Sequence, residues 1–168
     1  MKFIKLNYGY STKVDDADYE WLNQFIWGIA KRKGVIYAQT SKKINGVWQP
    51  VLMHSLIMNL QKGKRVDHAD NDGLNNQRFN LRECNAMQNA FNSKGRSKKR
   101  MSNYKGIRKV RRKYSDITKP DYVRFYGRIN VGGKEIITKF FRTEEDAVLA
   151  CNELMKTHHG EFAKLNEI

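Results

Sequence analysis

The residues best suited to chemistry lie in one polar stretch, Val66-Asp67-His68-Ala69-Asp70-Asn71-Asp72-Gly73-Leu74-Asn75-Asn76-Gln77-Arg78-Phe79-Asn80-Leu81-Arg82. Asp, Asn and Gly favour turns for backbone reasons, so a polar turn is the plainest account. Asp70, Asp72 and Asn76 also offer the oxygen donors of a calcium loop. The EF-hand spacing fails, because counting from Asp67 or from Asp70 gives neither Gly at position six nor Glu at position twelve. His68 adds a group with an ordinary pKa of about 6.5, whose neutral imidazole can take a proton from water near pH 7.

Asp67-His68, then Asn80-Leu81-Arg82, then Gln88-Asn89 resemble the HNH endonuclease motif in its His-Asn-Asn form. Leu52-Met53-His54-Ser55-Leu56-Ile57-Met58 resembles the short helix that precedes the motif. Val14 to Leu22 is similar to the N-terminal segment of phage and bacterial members. The resemblance implies two antiparallel strands and a helix around one divalent metal, with His68 as general base and Asn80 holding the imidazole by a side-chain hydrogen bond. Asp67 and Asn89 are the implied metal ligands. Their hard oxygens suit Mg²⁺ or Mn²⁺ better than Zn²⁺. Many members carry His where this chain has Asn89, a weaker and neutral ligand. His54 is a candidate phosphate contact or a structural histidine, and Arg82 a candidate phosphate contact.

Charge points to the same partner. Lys plus Arg number 32 against 17 Asp plus Glu, a net +15. Residues 1–90 carry net +5, residues 91–142 net +14 and residues 143–168 net −4. Seventeen cations against three acids in residues 91–142 repel one another and call for a polyanion. Nucleic acid fits better than an anionic membrane, since no basic amphipathic helix occurs there. Cys84 and Cys151 are too isolated for a disulfide framework or a zinc site. No apolar run nears the ~18 residues of a membrane helix, and the first residues lack a secretory apolar region. The expected location is the cytoplasm, in a bacterial host if the chain is phage-encoded.

These groups require a scaffold in two parts. Residues 1–92 read as a nuclease domain with its motif core at 50–92, residues 93–101 as a basic linker, and residues 102–168 as a DNA-reading domain. In the first part, Phe3 to Leu6 reads as a strand. Asp15-Asp16-Ala17-Asp18 starts a helix whose apolar face is Tyr19, Leu22, Phe25 and Ile26. Strands are expected at Gly34–Thr40 and Val47–Leu52 around an Asn45-Gly46 turn, and short helices at His54–Leu60 and Asn85–Asn92.

In the second part, Tyr122 to Val131 alternates. Val123, Phe125, Gly127 and Ile129 face one way, and Arg124, Tyr126, Arg128 and Asn130 the other. A Gly132-Gly133 turn and a strand from Glu135 to Phe141 follow. Thr143-Glu144-Glu145-Asp146 starts an amphipathic helix. Ser102-Asn103-Tyr104-Lys105-Gly106-Ile107-Arg108, Tyr126-Gly127-Arg128-Ile129, Ile137 to Phe141 and Gly160 to Asn166 resemble the AP-two/ethylene-response-factor DNA-binding domain, with an insertion around Asp116 to Asp121. That resemblance implies a sheet face in the major groove, with Arg108, Arg111, Arg112, Arg128 and Lys139 as candidate contacts.

The expected fold class is α+β: a ββα-metal nuclease domain joined to a three-stranded antiparallel sheet packed on one helix. The expected function is a homing-type, metal-dependent DNA endonuclease. It leaves 5′-phosphate and 3′-hydroxyl ends and acts as a monomer that nicks one strand at an asymmetric site. The rival is a non-catalytic DNA-binding regulator on a nuclease-derived fold.

Overall fold

The computed structural model describes residues 1–61, 63–93, 102–112 and 122–168. Most of the expected basic linker and the Asp116–Asp121 insertion lie outside them. The chain is mixed α+β, with small antiparallel sheets and four helices among the described residues. It divides into two compact units, Met1–Ala90 and Phe91–Ile168.

In the first unit, β1 (Lys2–Lys5) and β2 (Ser11–Val14) pair antiparallel, with Lys2 opposite Val14. Helix α1 (Asp16–Leu22) follows. Strands β3 (Gly28–Arg32), β4 (Val35–Ile44) and β5 (Val47–Leu52) form a meander in the order β3-β4-β5. Asn45 and Gly46 both take positive φ, 48° and 82°, as a tight two-residue hairpin turn requires. Helix α2 (Met53–Ile57) leads to β6 (Arg65–His68), which pairs antiparallel with β7 (Leu81–Cys84). Helix α3 (Ala86–Asn92) closes the segment. Ile4, Val14, Leu22, Trp27, Ala38, Met53, Ile57 and Leu81 belong to one buried core, to which β1, β2, α1, β4, α2 and β7 all contribute.

Helical spacing carried the expected face of α1 through Ile26, but the helix stops at Leu22 and Ile26 is 94% exposed. The Trp27 indole turns back and donates to the Leu22 carbonyl at 2.8 Å, satisfying a helix-end acceptor with a side chain. The next residues then enter β3, a strand that local residue types do not announce, because Gly28-Ile29-Ala30-Lys31-Arg32 has little strand propensity of its own. Its pairing with β4 supplies what propensity lacks. Strand β2 was likewise not anticipated.

In the second unit, β8 (Ile107–Arg112), β9 (Tyr122–Val131) and β10 (Lys134–Ile137) form an antiparallel sheet in the order β10-β9-β8. Helix α4 (Glu144–His159) covers one face. Thr143 caps it, Oγ1 accepting from the Asp146 N–H, and three acids occupy the first turn. Ile107, Ile129, Ala147, Val148, Cys151 and Met155 form the core. Strand and helix approach closely at Gly127: a Cβ there would lie 2.6 Å from Cys151 Cβ and 3.0 Å from its Cα. Gly127→Ala should therefore destabilise this unit by about 1–3 kcal/mol through overpacking, lowering the urea midpoint of the full chain. An unchanged midpoint would contradict the contact.

Candidate functional site

Strand register sets the first two site residues. Asp67 stands opposite Arg82 and His68 opposite Leu81. Arg82 Nε and Nη2 both donate to Asp67 Oδ2, at 2.9 and 2.7 Å. Asp67 is only 5% exposed, so its side chain is a buried acid with a guanidinium partner. Arg82, read from sequence as a phosphate contact, is thus engaged by the residue expected to bind metal.

From His68 the chain enters a loop that returns at Leu81, and the loop's acids hold it together. Asp70 Oδ1 accepts from the Asp72 N–H at 2.8 Å and from Asn80 Nδ2 at 2.9 Å, while Asp70 Oδ2 accepts from Asn75 Nδ2 at 2.7 Å. Burial raises the Asp70 pKa, but these hydrogen bonds outweigh it and hold the carboxyl below its ordinary range. Asp18 of α1 ties the loop from outside. It is 2% exposed and accepts from Arg78 Nε and Nη2 at 2.7 and 2.8 Å. Asp15, which stands just before α1, accepts from Gln77 Nε2 and the Arg78 N–H with its carboxylate. Gly73 is obligatory, since a Cβ there would sit 2.4 Å from the Ile36 carbonyl oxygen and 2.7 Å from the Tyr37 ring.

Asn80 takes a different role from the expected one. Its side chain donates to Asp70 Oδ1 and to the Asn75 carbonyl, and accepts from the Asp70 N–H. With both donors and the acceptor engaged there, Asn80 fixes the loop, not the imidazole. The His68 ring meets Asn76 instead, fully buried, with Oδ1 3.3 Å from Nε2. A relay then assigns the ring tautomer. Thr12 donates to the Leu74 carbonyl at 2.7 Å, so it accepts from Asn76 Nδ2, also at 2.7 Å. Asn76 Oδ1 consequently faces His68 and can only accept, which puts the ring proton on Nε2 and makes Nδ1 the basic nitrogen.

His68 packs edge-on to His54, with centroids 5.0 Å apart, and lies 5.8 Å from the Tyr37 ring. Burial lowers the His68 pKa, against the Asn76 bond and the charges of Asp70, Asp67 and Asp72, which raise it. Burial, His68 and Arg32 push His54 down to about 3. His54 is 7% exposed and neutral, a ring that buttresses His68.

The sign of the pH effect follows. Unfolded histidines titrate near 6.5, so between 6.5 and about 3 the unfolded chain binds a proton that folded His54 refuses. Stability is full above pH 6.5 and falls on acidification through that window, by up to about 1.4 kcal/mol per pH unit for each such group. Urea midpoints between pH 7.5 and 4.5 check this, and His54→Phe should flatten the slope.

Asn89 lies in α3, half-buried, five residues past the end of β7. Among the described residues no group of three His, Cys, Asp or Glu side chains could hold a metal. The donors on offer are one buried carboxylate, Asp67, and one amide oxygen, Asn89. By type they fit a hard divalent cation that takes most of its shell from water and phosphate.

In the second unit, register sorts the basic candidates. Ile107 and Ile129 face α4, so the alternate residues form the outer face. Arg108 stands opposite Tyr126, and Arg128 opposite Ile137. Tyr126 meets Phe140 at 4.9 Å between centroids, which makes Arg108-Tyr126-Phe140 one row across the sheet. Arg111 is opposite Val123 and belongs to the other face, a correction to its grouping with Arg108. Arg112 ends β8, opposite Tyr122. Lys139 falls beyond β10, its ammonium 5.4 Å from the Phe141 ring centroid. Arg128 is paired with Glu135 at 2.6 Å.

A comparison with curated proteins finds similarity to one from Acanthamoeba polyphaga mimivirus, 33% identical over 103 residues. That relative is named an uncharacterised HNH endonuclease. The match takes in 61% of this chain, which spans about half of the relative, 47%. No family model matches the chain, and no solved structure matches it.

The residues that sequence reasoning missed are those supplied from a distance. Thr12 and Asn76 set the tautomer, and Tyr37 walls the ring. Strand β2 reaches the loop through Lys13, whose N–H donates to the Leu74 carbonyl and whose carbonyl accepts from the Asn76 N–H, both at 2.8 Å. Nothing local marks Thr12 for this. Asn76 was legible only as one oxygen donor among several in an Asn-rich loop, with nothing to pair it to His68.

Proposed function

We propose that this chain is a metal-dependent DNA endonuclease of the HNH type. The observation that carries the proposal is the buried His68, beside Asp67, with its Nε2 3.3 Å from the Oδ1 of the buried Asn76, which Thr12 engages in turn. A buried, neutral imidazole with a defined basic nitrogen is what proton abstraction from water needs. The name of the mimivirus relative supports the same reading, as do the motif residues Asp67, His68, Asn80 and Asn89.

In this reading water loses its proton to His68 Nδ1 and attacks phosphorus. The bond to the 3′ oxygen breaks and that oxygen takes a proton from solvent water, leaving 5′-phosphate and 3′-hydroxyl ends. Asn76 keeps the ring from turning, His54 and Tyr37 exclude water from its faces, and Asn80 maintains the loop. Asp67 and Asn89 would hold Mg²⁺ or Mn²⁺. A bound divalent cation supplies Lewis-acid stabilisation of the pentacovalent phosphate and the leaving oxygen.

The second unit serves as the DNA-reading module. Its AP-two-like reading rests on the residue resemblance and on the order of sheet and helix. The row Arg108-Tyr126-Phe140 offers a guanidinium suited to guanine O6 and N7 beside an aromatic pair suited to a thymine methyl. The homing, phage-type character rests on residue resemblance alone. One His68 site engages one scissile phosphate, so a monomer at an asymmetric site should nick.

Supercoiled plasmid with Mg²⁺ should convert to open circle before any linear form appears, and EDTA should stop it. Linear product at once, with rate rising as the square of protein concentration, would show a cutting dimer. The Arg82–Asp67 ion pair favours one rival, a non-catalytic DNA-binding regulator. DNA binding without any Mg²⁺-dependent nicking would establish that rival.

A further inference from the structure

Residues 21–66 contain no Asp or Glu, while eight Lys and Arg fall among these 46 residues. The modest +5 of residues 1–90 hides this, because the acids of that half are gathered in residues 15–20 and 67–83. The acid-free stretch builds β3, β4, β5 and α2. A surface with no counter-charges of its own over such a length attracts a polyanion.

Its far end has the form of an arm. Strand β3 pairs with β4 only as far as Gln39, after which β4 and β5 continue as a two-stranded ribbon. Every residue from Ser41 to Pro50 is exposed. The ribbon carries Lys43 beside Trp48, 68% exposed, with Lys42 on its opposite face and Val47, 61% exposed, next to Trp48 in sequence. Lys43 lies directly opposite Trp48, so ammonium and indole leave the same face. By strand alternation this is also the face of Tyr37, whose ring packs on His68 and His54. Lys43 lies six steps along β4 from Tyr37, about 20 Å of strand or about six base pairs of duplex at about 3.4 Å each.

We propose that the β4–β5 arm is a DNA-binding element in its own right, with Lys42 and Lys43 against phosphates and Trp48 packed into a groove, about six base pairs from the phosphate at His68. Cations flanking an exposed aromatic complement a charged backbone with apolar base edges and sugars behind it. The placement relative to the cut rests on the endonuclease reading, but the contact with duplex DNA does not.

The test uses the full chain and a 40-base-pair duplex. Lys42→Glu/Lys43→Glu and Trp48→Ala change exposed residues outside the catalytic group. Each variant should bind about ten-fold more weakly or worse, and the double lysine variant should have a log–log salt slope shallower by about two. A benzoyl-phenylalanine placed at position 48 should crosslink to DNA, about six base pairs from the nick on cleaved plasmid. Unchanged affinity and slope with no crosslink would overturn the proposal. So would variants that alter only the mass of the chain in solution, which would make the arm a self-association surface, or a crosslink confined to RNA. If the wild-type chain nicks nothing, the endonuclease reading fails, while slope and crosslink still decide the arm.

Discussion

His68→Ala should abolish DNA cleavage while leaving DNA binding within about two-fold of wild type. General-base removal costs typically 10²- to 10⁴-fold in rate. The binding surface keeps its charge, because His68 is buried and its pKa is lowered below the ordinary value, so the ring is neutral at pH 7. The lowered pKa also sets the acid limb of the wild-type rate profile below pH 6.5, the side on which His68 becomes protonated. His68→Gln is the companion variant, since it fills more of the space beside His54 and Tyr37 but supplies no base. Plasmid nicking and filter binding of the folded variants, checked by circular dichroism, read both quantities. Cleavage by His68→Ala at wild-type rate would remove it as the base.

Asn80→Ala should be nearly as damaging by another route. The Asn80 side chain is 2% exposed and makes three hydrogen bonds, to Asp70 Oδ1, the Asn75 carbonyl and the Asp70 N–H. Truncation strands these groups where water replaces them poorly, at about 2–4 kcal/mol in sum. The loop they hold carries Asn76, which orients His68, so cleavage should fall at least 10²-fold. Asn80→Asp separates hydrogen bonding from shape. It is nearly isosteric, yet it puts a second carboxylate where Asp70 needs a donor, and should be no better than Ala. Rescue of nicking and of the urea midpoint by Asp would show that only shape matters at this position. If Asn80 held the imidazole directly, Ala would abolish cleavage with little loss of stability.

Local signals were sufficient wherever a residue's role depends on its neighbours in sequence. Asn45-Gly46 marked its turn, since φ must be positive at both positions. The alternation from Tyr122 to Val131 gave the right strand and the right two faces, because one face of β9 is covered by α4 and the other is not. Asp67 and His68 were legible as candidate chemistry through residue type and spacing. Tertiary structure alone decided what surrounds them. Which nitrogen of His68 holds the proton depends on Thr12, 56 residues upstream, acting through Asn76. Strand β3 exists through pairing, not propensity. Arg82 faces Asp67 through strand register, and Arg111 is on the other face from Arg108 for the same reason. A one-residue step inverts the face of a strand side chain, while hydrogen bonds and ion pairs between distant segments form only once a core brings them within about 3 Å. Neither constraint is written in the order of residues around the groups it governs.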